Sequence, residues 1–276
     1  MTLPPLRDVI ARHGLAARHR LGQHFLLDAN LTDRIVREAG DLAGRHVIEI
    51  GPGPGGLTRS LLATAVASVT AVELDHRAIA ALAELADTAP GRLTVLEADA
   101  LAINCVTLTP GPRQIIANLP YNVASPLLVA WLREASAFER LTLMFQQEVA
   151  ERICAEPGTS AYGRLSVLSQ WIAQTRIAVR IPPAAFTPPP KVWSAVVSLT
   201  PHPEQPAPAL FRTMERLTAA AFGQRRKMLR GALRGLGGET LLKAADIAPD
   251  RRAETLSIAE FDRLVRLLPE NQSVIA

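Results

Sequence analysis

Cysteine is scarce in this chain, and the two present, Cys105 and Cys154, lie far apart with no paired spacing to histidine or to each other. That excludes a disulfide framework and a Cys/His zinc cluster, so no metal is expected. Uninterrupted apolar runs of the ~20 residues that a membrane-spanning helix needs are also missing. Met1 to Arg20 has no apolar signal core. These two absences predict a cytoplasmic protein that does not enter a membrane. Internal repeats and long low-complexity tracts are absent as well. The last absence is local: no acid stands between Ala219 and Gly238, a stretch that holds Arg225, Arg226, Lys227, Arg230 and Arg234. A second basic stretch comprises Arg7, Arg12, His13, Arg18, His19 and Arg20. With a net charge of only +4 over the whole chain, these clusters are local concentrations. They suit a phosphate backbone, or alternatively a solvated helix face.

The 276 residues, 48% hydrophobic and 20% charged, fit a globular protein with one large domain and a small one. From Arg45 to Gln147, short β-branched runs alternate with helical stretches, the pattern of an α/β protein with a parallel sheet. The expected strands are His46–Ile50, Val69–Leu74, Leu93–Leu96, Gln114–Asn118 and Leu141–Phe145. Two more, Arg176–Ile181 and Val192–Thr200, bring the Rossmann-like sheet to about seven strands. Thr200–Pro208 has four prolines in nine residues and reads as a linker. Domains are therefore expected over 1–202, catalytic with a basic amino-terminal extension, and over 207–276, small and helical. Leu210–Phe222, Arg226–Leu236 and Ile258–Leu268 are its expected helices.

The first strand runs into Gly51-Pro52-Gly53-Pro54-Gly55-Gly56, a glycine-rich turn that lets a nucleotide approach the backbone. Alone this motif is weak, because its spacing also fits a dinucleotide enzyme. Pro52 and Pro54 favour S-adenosylmethionine: they lack the N–H donors a pyrophosphate wants at a helix N-terminus, and that cofactor has no phosphate. Glu73, ending the second strand beside Leu74, would accept from ribose hydroxyls. Asp99, beside Ala100, would accept from the adenine amine, or else cap a helix.

Asn118-Leu119-Pro120-Tyr121 ends the fourth strand. An exocyclic adenine nitrogen is a poor nucleophile because its lone pair is delocalised into the ring. Two acceptors aimed at its hydrogens, the Asn118 side-chain oxygen and the Leu119 carbonyl, would turn that lone pair toward an electrophilic methyl. Pro120 restricts Leu119, and Tyr121 can stack on the base. Phe186, held among prolines in Phe186–Val192, is the expected opposite wall, with Lys191 near the phosphates. The alternative for that segment is an edge loop whose Phe merely packs.

Read together, these residues resemble the bacterial small-subunit ribosomal RNA adenine dimethyltransferases, the kasugamycin-resistance methylases. The resemblance begins at Leu21–Asp28, takes in Val47–Gly53, Val72–Asp75, Asn118–Tyr121, Phe145–Ala150, Tyr162–Ser166 and Phe186–Val197, and ends at Phe222–Lys227. It implies a class I S-adenosylmethionine-dependent methyltransferase that dimethylates N6 of two adjacent adenosines in a 3′-end hairpin of 16S ribosomal RNA, within an assembling small subunit. It further implies that His24 and Leu26 line the methionine end of the cofactor, Gly51 and Gly53 its backbone approach, Glu73 and Leu74 the ribose, Asp99 and Ala100 the adenine. Asn118 would touch cofactor and target alike. Many members carry Asn where this chain has His24, which implies a backbone role there. Arg225, Arg226, Lys227 and Lys191 are the implied RNA contacts, and a monomer is expected. The alternatives are a large-subunit methylase of the macrolide-resistance type, a non-catalytic assembly factor on the same fold, and an NAD-dependent oxidoreductase.

Overall fold

The computed structural model describes residues 3–15, 24–224 and 227–269. Its elements run α1 (Leu6–Arg12), β1 (Phe25–Leu26), α2 (Ala29–Glu38), β2 (His46–Ile50), α3 (Gly56–Leu62), β3 (Ser68–Glu73), α4 (His76–Asp87) and β4 (Leu93–Glu97). There follow β5 (Arg113–Asn118), α5 (Ala124–Arg133), β6 (Arg140–Gln146), α6 (Gln147–Ile153), α7 (Arg164–Ile172), β7 (Ala173–Ile181), β8 (Phe186–Thr187) and β9 (Ser194–Pro201). Helices α8 (Pro208–Phe222), α9 (Leu229–Ala232), α10 (Gly238–Ala244) and α11 (Ile258–Leu267) complete the chain. No helix among the described residues is long and apolar enough to cross a membrane.

Two compact units form, one from the described residues up to Ala150 with Arg176–Pro201, the other from Glu151–Thr175 with the described residues after Pro201. Residues 151–175 lie inside the segment assigned above to the catalytic domain, yet they pack with the helical remainder.

In the first unit a seven-stranded sheet has the order β4-β3-β2-β5-β6-β9-β7. Pairing is parallel from β4 through β6 and antiparallel between β6 and β9. After His46, strand β2 is apolar except for Glu49, and all four of these residues are buried, as a central strand covered on both faces requires. Its neighbours β3 and β5 lie on opposite sides, so the chain reverses its direction of travel across the sheet at β2. In a doubly wound sheet that reversal opens a crevice at the carboxyl ends of the strands. Helix α4 starts where Asp75 accepts the Arg77 N–H at 3.1 Å, and it buries Ala78, Ala81, Leu82 and Leu85, residues three and four apart.

Strand β9 continues through Thr200 and Pro201, into the expected linker. Proline is tolerated there because pairing with β6 ends at Leu199. A second, two-stranded antiparallel sheet joins β1 to β8, pairing Phe25 with Thr187 and Leu26 with Phe186.

In the second unit Tyr162, fully buried, meets Phe222 edge-on at 6.0 Å, and Phe222 stacks on Phe261 at 5.7 Å. Trp171 stacks on Phe211 and donates its indole N–H to Asp262 at 2.9 Å. Of the expected helix Arg226–Leu236, whose first residue lies outside the described ones, the structure has the four-residue α9 and a 3-10 turn at Arg234–Leu236. Gly231 and Gly235 weaken that helix as poor helix formers, and Gly237, with φ +106°, ends the 3-10 turn. Helix α10 follows, an element the sequence did not announce.

Candidate active site

The glycine turn after β2 is built around one carboxylate. Glu73, buried at the end of β3, accepts the Gly53 N–H at 3.0 Å on one oxygen, and the Leu74 and Asp75 N–H groups at 2.8 and 2.9 Å on the other. Three of its roughly four acceptor positions are thereby used, which leaves about one for a ligand hydroxyl. Gly53 has φ +55°, and a Cβ there would lie 2.9 Å from the Phe25 ring. Gly56 is squeezed harder, since its Cβ would meet the Leu26 carbonyl at 2.6 Å. A turn this close to β1 has no room for side chains at either position.

Glu49, one strand away, has no such set of donors. Burial pushes its carboxyl up to about 8; the Thr58 hydroxyl opposes the rise and the Glu73 charge adds to it. With Leu26, Gly51, Pro52 and Asn118 it lines a small cavity beside the main one.

The main cavity lies at the carboxyl edge of the sheet. Ile50, Gly51 and Gly53 line it from β2 and its turn, Glu73, Leu74 and Asp75 from β3, Ala98, Asp99 and Ala100 from beyond β4, and Asn118 to Val123 from β5 onward. His24 and Phe25 close one side. Asp99 lines the cavity, and one of its carboxylate oxygens accepts the Leu101 N–H at 2.9 Å in a turn, since no helix starts there. The turn's own amides are committed, Gly51 N–H to the Val72 carbonyl at 2.9 Å and Gly53 N–H to Glu73. Pro52 and Pro54 have none. Such a turn offers little to a pyrophosphate, whereas its acidic rim suits a phosphate-free nucleoside cofactor.

Asn118 donates its side-chain amide to the His24 carbonyl at 3.0 Å. That bond fixes the amide and leaves its oxygen as the acceptor at the cavity. The His24 backbone thus holds Asn118, and its side chain makes contacts of its own. The His24 ring donates from Nδ1 to the Pro188 carbonyl at 2.8 Å, so in the neutral ring Nε2 is an acceptor. The same ring stacks on Tyr121, with centroids 5.5 Å apart and planes 28° apart. The Tyr121 and Ser194 hydroxyls are hydrogen-bonded at 2.7 Å; burial raises the phenol's pKa while the Ser194 bond opposes it, so the ring is neutral.

The structure therefore brings together His24, Gly51, Gly53, Glu73, Leu74, Asp99, Ala100 and Asn118–Tyr121. Leu26 instead packs in the core and faces the smaller cavity. Phe186 differs from its expected place as an open wall. Pairing of β8 with β1 leaves it 3% exposed in the core, and its edge meets His24 at 6.4 Å, so the ring facing Tyr121 is that of His24. Lys191 and Lys227 are exposed, while Arg225 and Arg226 lie outside the described residues. In the amino-terminal basic stretch Arg12 and His13 both engage Glu84, at 3.2 and 2.9 Å, and Arg18, His19 and Arg20 are outside the described residues. Two contributors were not singled out from the sequence: Ser194, which anchors Tyr121, and Glu49, an acid inside an otherwise apolar strand, which was the available signal.

Comparison with known proteins agrees with this geometry. Residues 14–270 match the family described as ribosomal RNA adenine dimethylase. A relative from Gluconobacter oxydans, named ribosomal RNA small subunit methyltransferase A, is 65% identical over 97% of this chain and 88% of its own. One of the same name from Rhodospirillum rubrum is 56% identical over 99% and 95%. Among solved structures, a dimethyladenosine transferase from Plasmodium falciparum superposes with a TM-score of 0.76 at 26% identity, covering 87% of this chain and 96% of its own. The 23S rRNA methyltransferase ErmE does so at 0.65 and 26%, covering 88% and 99%. The chain belongs to the ribosomal RNA adenine dimethylase family, enzymes that use S-adenosylmethionine on the class I methyltransferase fold.

Proposed function

We propose that this enzyme dimethylates N6 of two adjacent adenosines in a 3′-end hairpin of 16S ribosomal RNA, acting as a cytoplasmic monomer on assembling small subunits. The observation that carries the reading is Asn118, whose amide nitrogen is tied to the His24 carbonyl so that its oxygen is held as an acceptor at the cavity. The names of the 56–65% identical relatives favour the small subunit over the large one.

When bound, S-adenosylmethionine supplies an electrophilic methyl on a sulfonium. Glu73, Asp99, Gly51 and Gly53 line the cavity, where Glu73 would accept a ribose hydroxyl with its remaining lone pair, Asp99 would accept from the cofactor's adenine amine, and the two glycines would let the ligand approach the backbone. The Asn118 oxygen takes one hydrogen of the target amine and the Leu119 carbonyl the other, which localises the nitrogen lone pair. Tyr121, held by Ser194 and flanked by the His24 ring, presents a fixed face to the base. No buried general base is required, because the amine proton becomes acidic only as the new N–C bond forms, and rate comes from positioning. Arg225, Arg226, Lys227 and Lys191 supply phosphate contacts.

Purified enzyme with labelled methyl donor should label immature small subunits and leave large-subunit precursors unlabelled. Label in the large subunit alone would favour the macrolide-resistance activity. Binding without label would favour a non-catalytic factor.

A further inference from the structure

Tryptophan is used in two ways in this molecule. Trp131 and Trp171 are 4% and 9% exposed, whereas Trp193 is 48% exposed beside Val192 at 45%. Single exposed apolar residues need no explanation, but an indole and a branched aliphatic side by side in water are a surface that a partner would cover.

The place of Trp193 narrows the partner. Its carbonyl accepts the Gln147 N–H at 2.9 Å, and the next residue, Ser194, pairs with Gln146 and holds the Tyr121 hydroxyl at 2.7 Å. The Trp193 backbone is therefore fixed at the carboxyl edge of the sheet, one residue from the anchor of a ring that lines the cavity. Exposed Lys191 precedes it. An adenosine that enters the cavity leaves the stack of its own strand, and its neighbours must pass over this rim with their faces uncovered. An indole offers such a face a partner, and a lysine two residues away suits the adjoining phosphate.

We propose that Trp193 is a stacking platform for the nucleobase next to the adenosine being methylated, with Lys191 against the backbone of the same strand. The inference rests on the RNA-methylating reading above and adds a contact for a nucleotide that is not itself modified.

In steady-state transfer to immature small subunits, Trp193→Ala should raise KM for the subunit about tenfold with kcat within about twofold, and Trp193→Phe should recover most of the loss. Affinity for the methyl donor and the melting temperature should stay at wild-type values, because the side chain is outside the core. p-Benzoyl-phenylalanine placed at position 193 should photo-cross-link to RNA within the methylated hairpin, a readout of binding that does not depend on transfer. An unchanged KM in Trp193→Ala, or a cross-link to a ribosomal protein, would overturn the platform. Failure of the wild type to transfer methyl at all would instead overturn the function proposed above.

Discussion

The crevice of the first unit and the aromatic cluster of the second both contain stretches on which the resemblance to the family rests, and they use them differently. Around the crevice, polar side chains hold backbone and face the cavity together: Glu73 ties three amides, Asp99 one, and Asn118 the His24 carbonyl. In the second unit, Tyr162 of the Tyr-Gly-Arg-Leu-Ser stretch is buried against Phe222, and polar groups pair among themselves, as Trp171 does with Asp262 and Arg251 with Glu260. A residue of such a stretch thus need not face the cavity. Some keep a helical unit packed.

The sharpest way to break that contrast is to remove one acceptor at the crevice. Asn118→Ala should lower kcat by about 10²–10³-fold with RNA affinity and melting temperature near wild type, measured by methyl transfer and filter binding. The reverse pattern is expected at the second unit. Tyr162→Ala should cost about 3–5 kcal/mol, read from denaturant midpoints, while methyl-donor affinity below the transition is unchanged. A smaller effect is expected at Glu49 on β2. With the Glu49 carboxyl raised to about 8 from an ordinary 4.5, the folded protein keeps a proton that the unfolded chain has released between those values. Stability from this group is therefore full below 4.5, declines as pH rises through the window, and is lost above about 8. Glu49→Gln should flatten that decline in midpoints measured across the window; an unaltered slope would assign it to another group.

Much of the sheet was legible because β-branched runs bounded by glycine, proline and charge leave little choice. His46–Ile50 is found as expected, and the other six strands fall within three residues at each end. The crevice was legible for the same reason, since motifs at strand ends converge once the strands are parallel neighbours. What escaped was held by long-range pairing. Strands β1 and β8 are two residues each, too short to show a period, and their union across the chain buries Phe186, which a proline-rich context places at the surface. Residues 151–175 join the helical unit through Tyr162 and Trp171, contacts to which a linker composition is blind. The triple duty of Glu73 was hidden because the backbone N–H donors it accepts from leave no trace in side-chain pattern.

The central claim is that Asn118 activates an adenine amine in small-subunit RNA. Its most direct test is base-resolved mass spectrometry of 16S ribosomal RNA from cells lacking this gene, complemented with wild type or with Asn118→Ala. The account predicts two adjacent N6-dimethyladenosines restored by the wild type and absent with the variant. Full restoration by Asn118→Ala, or unmodified adenosines with the wild type, would contradict it.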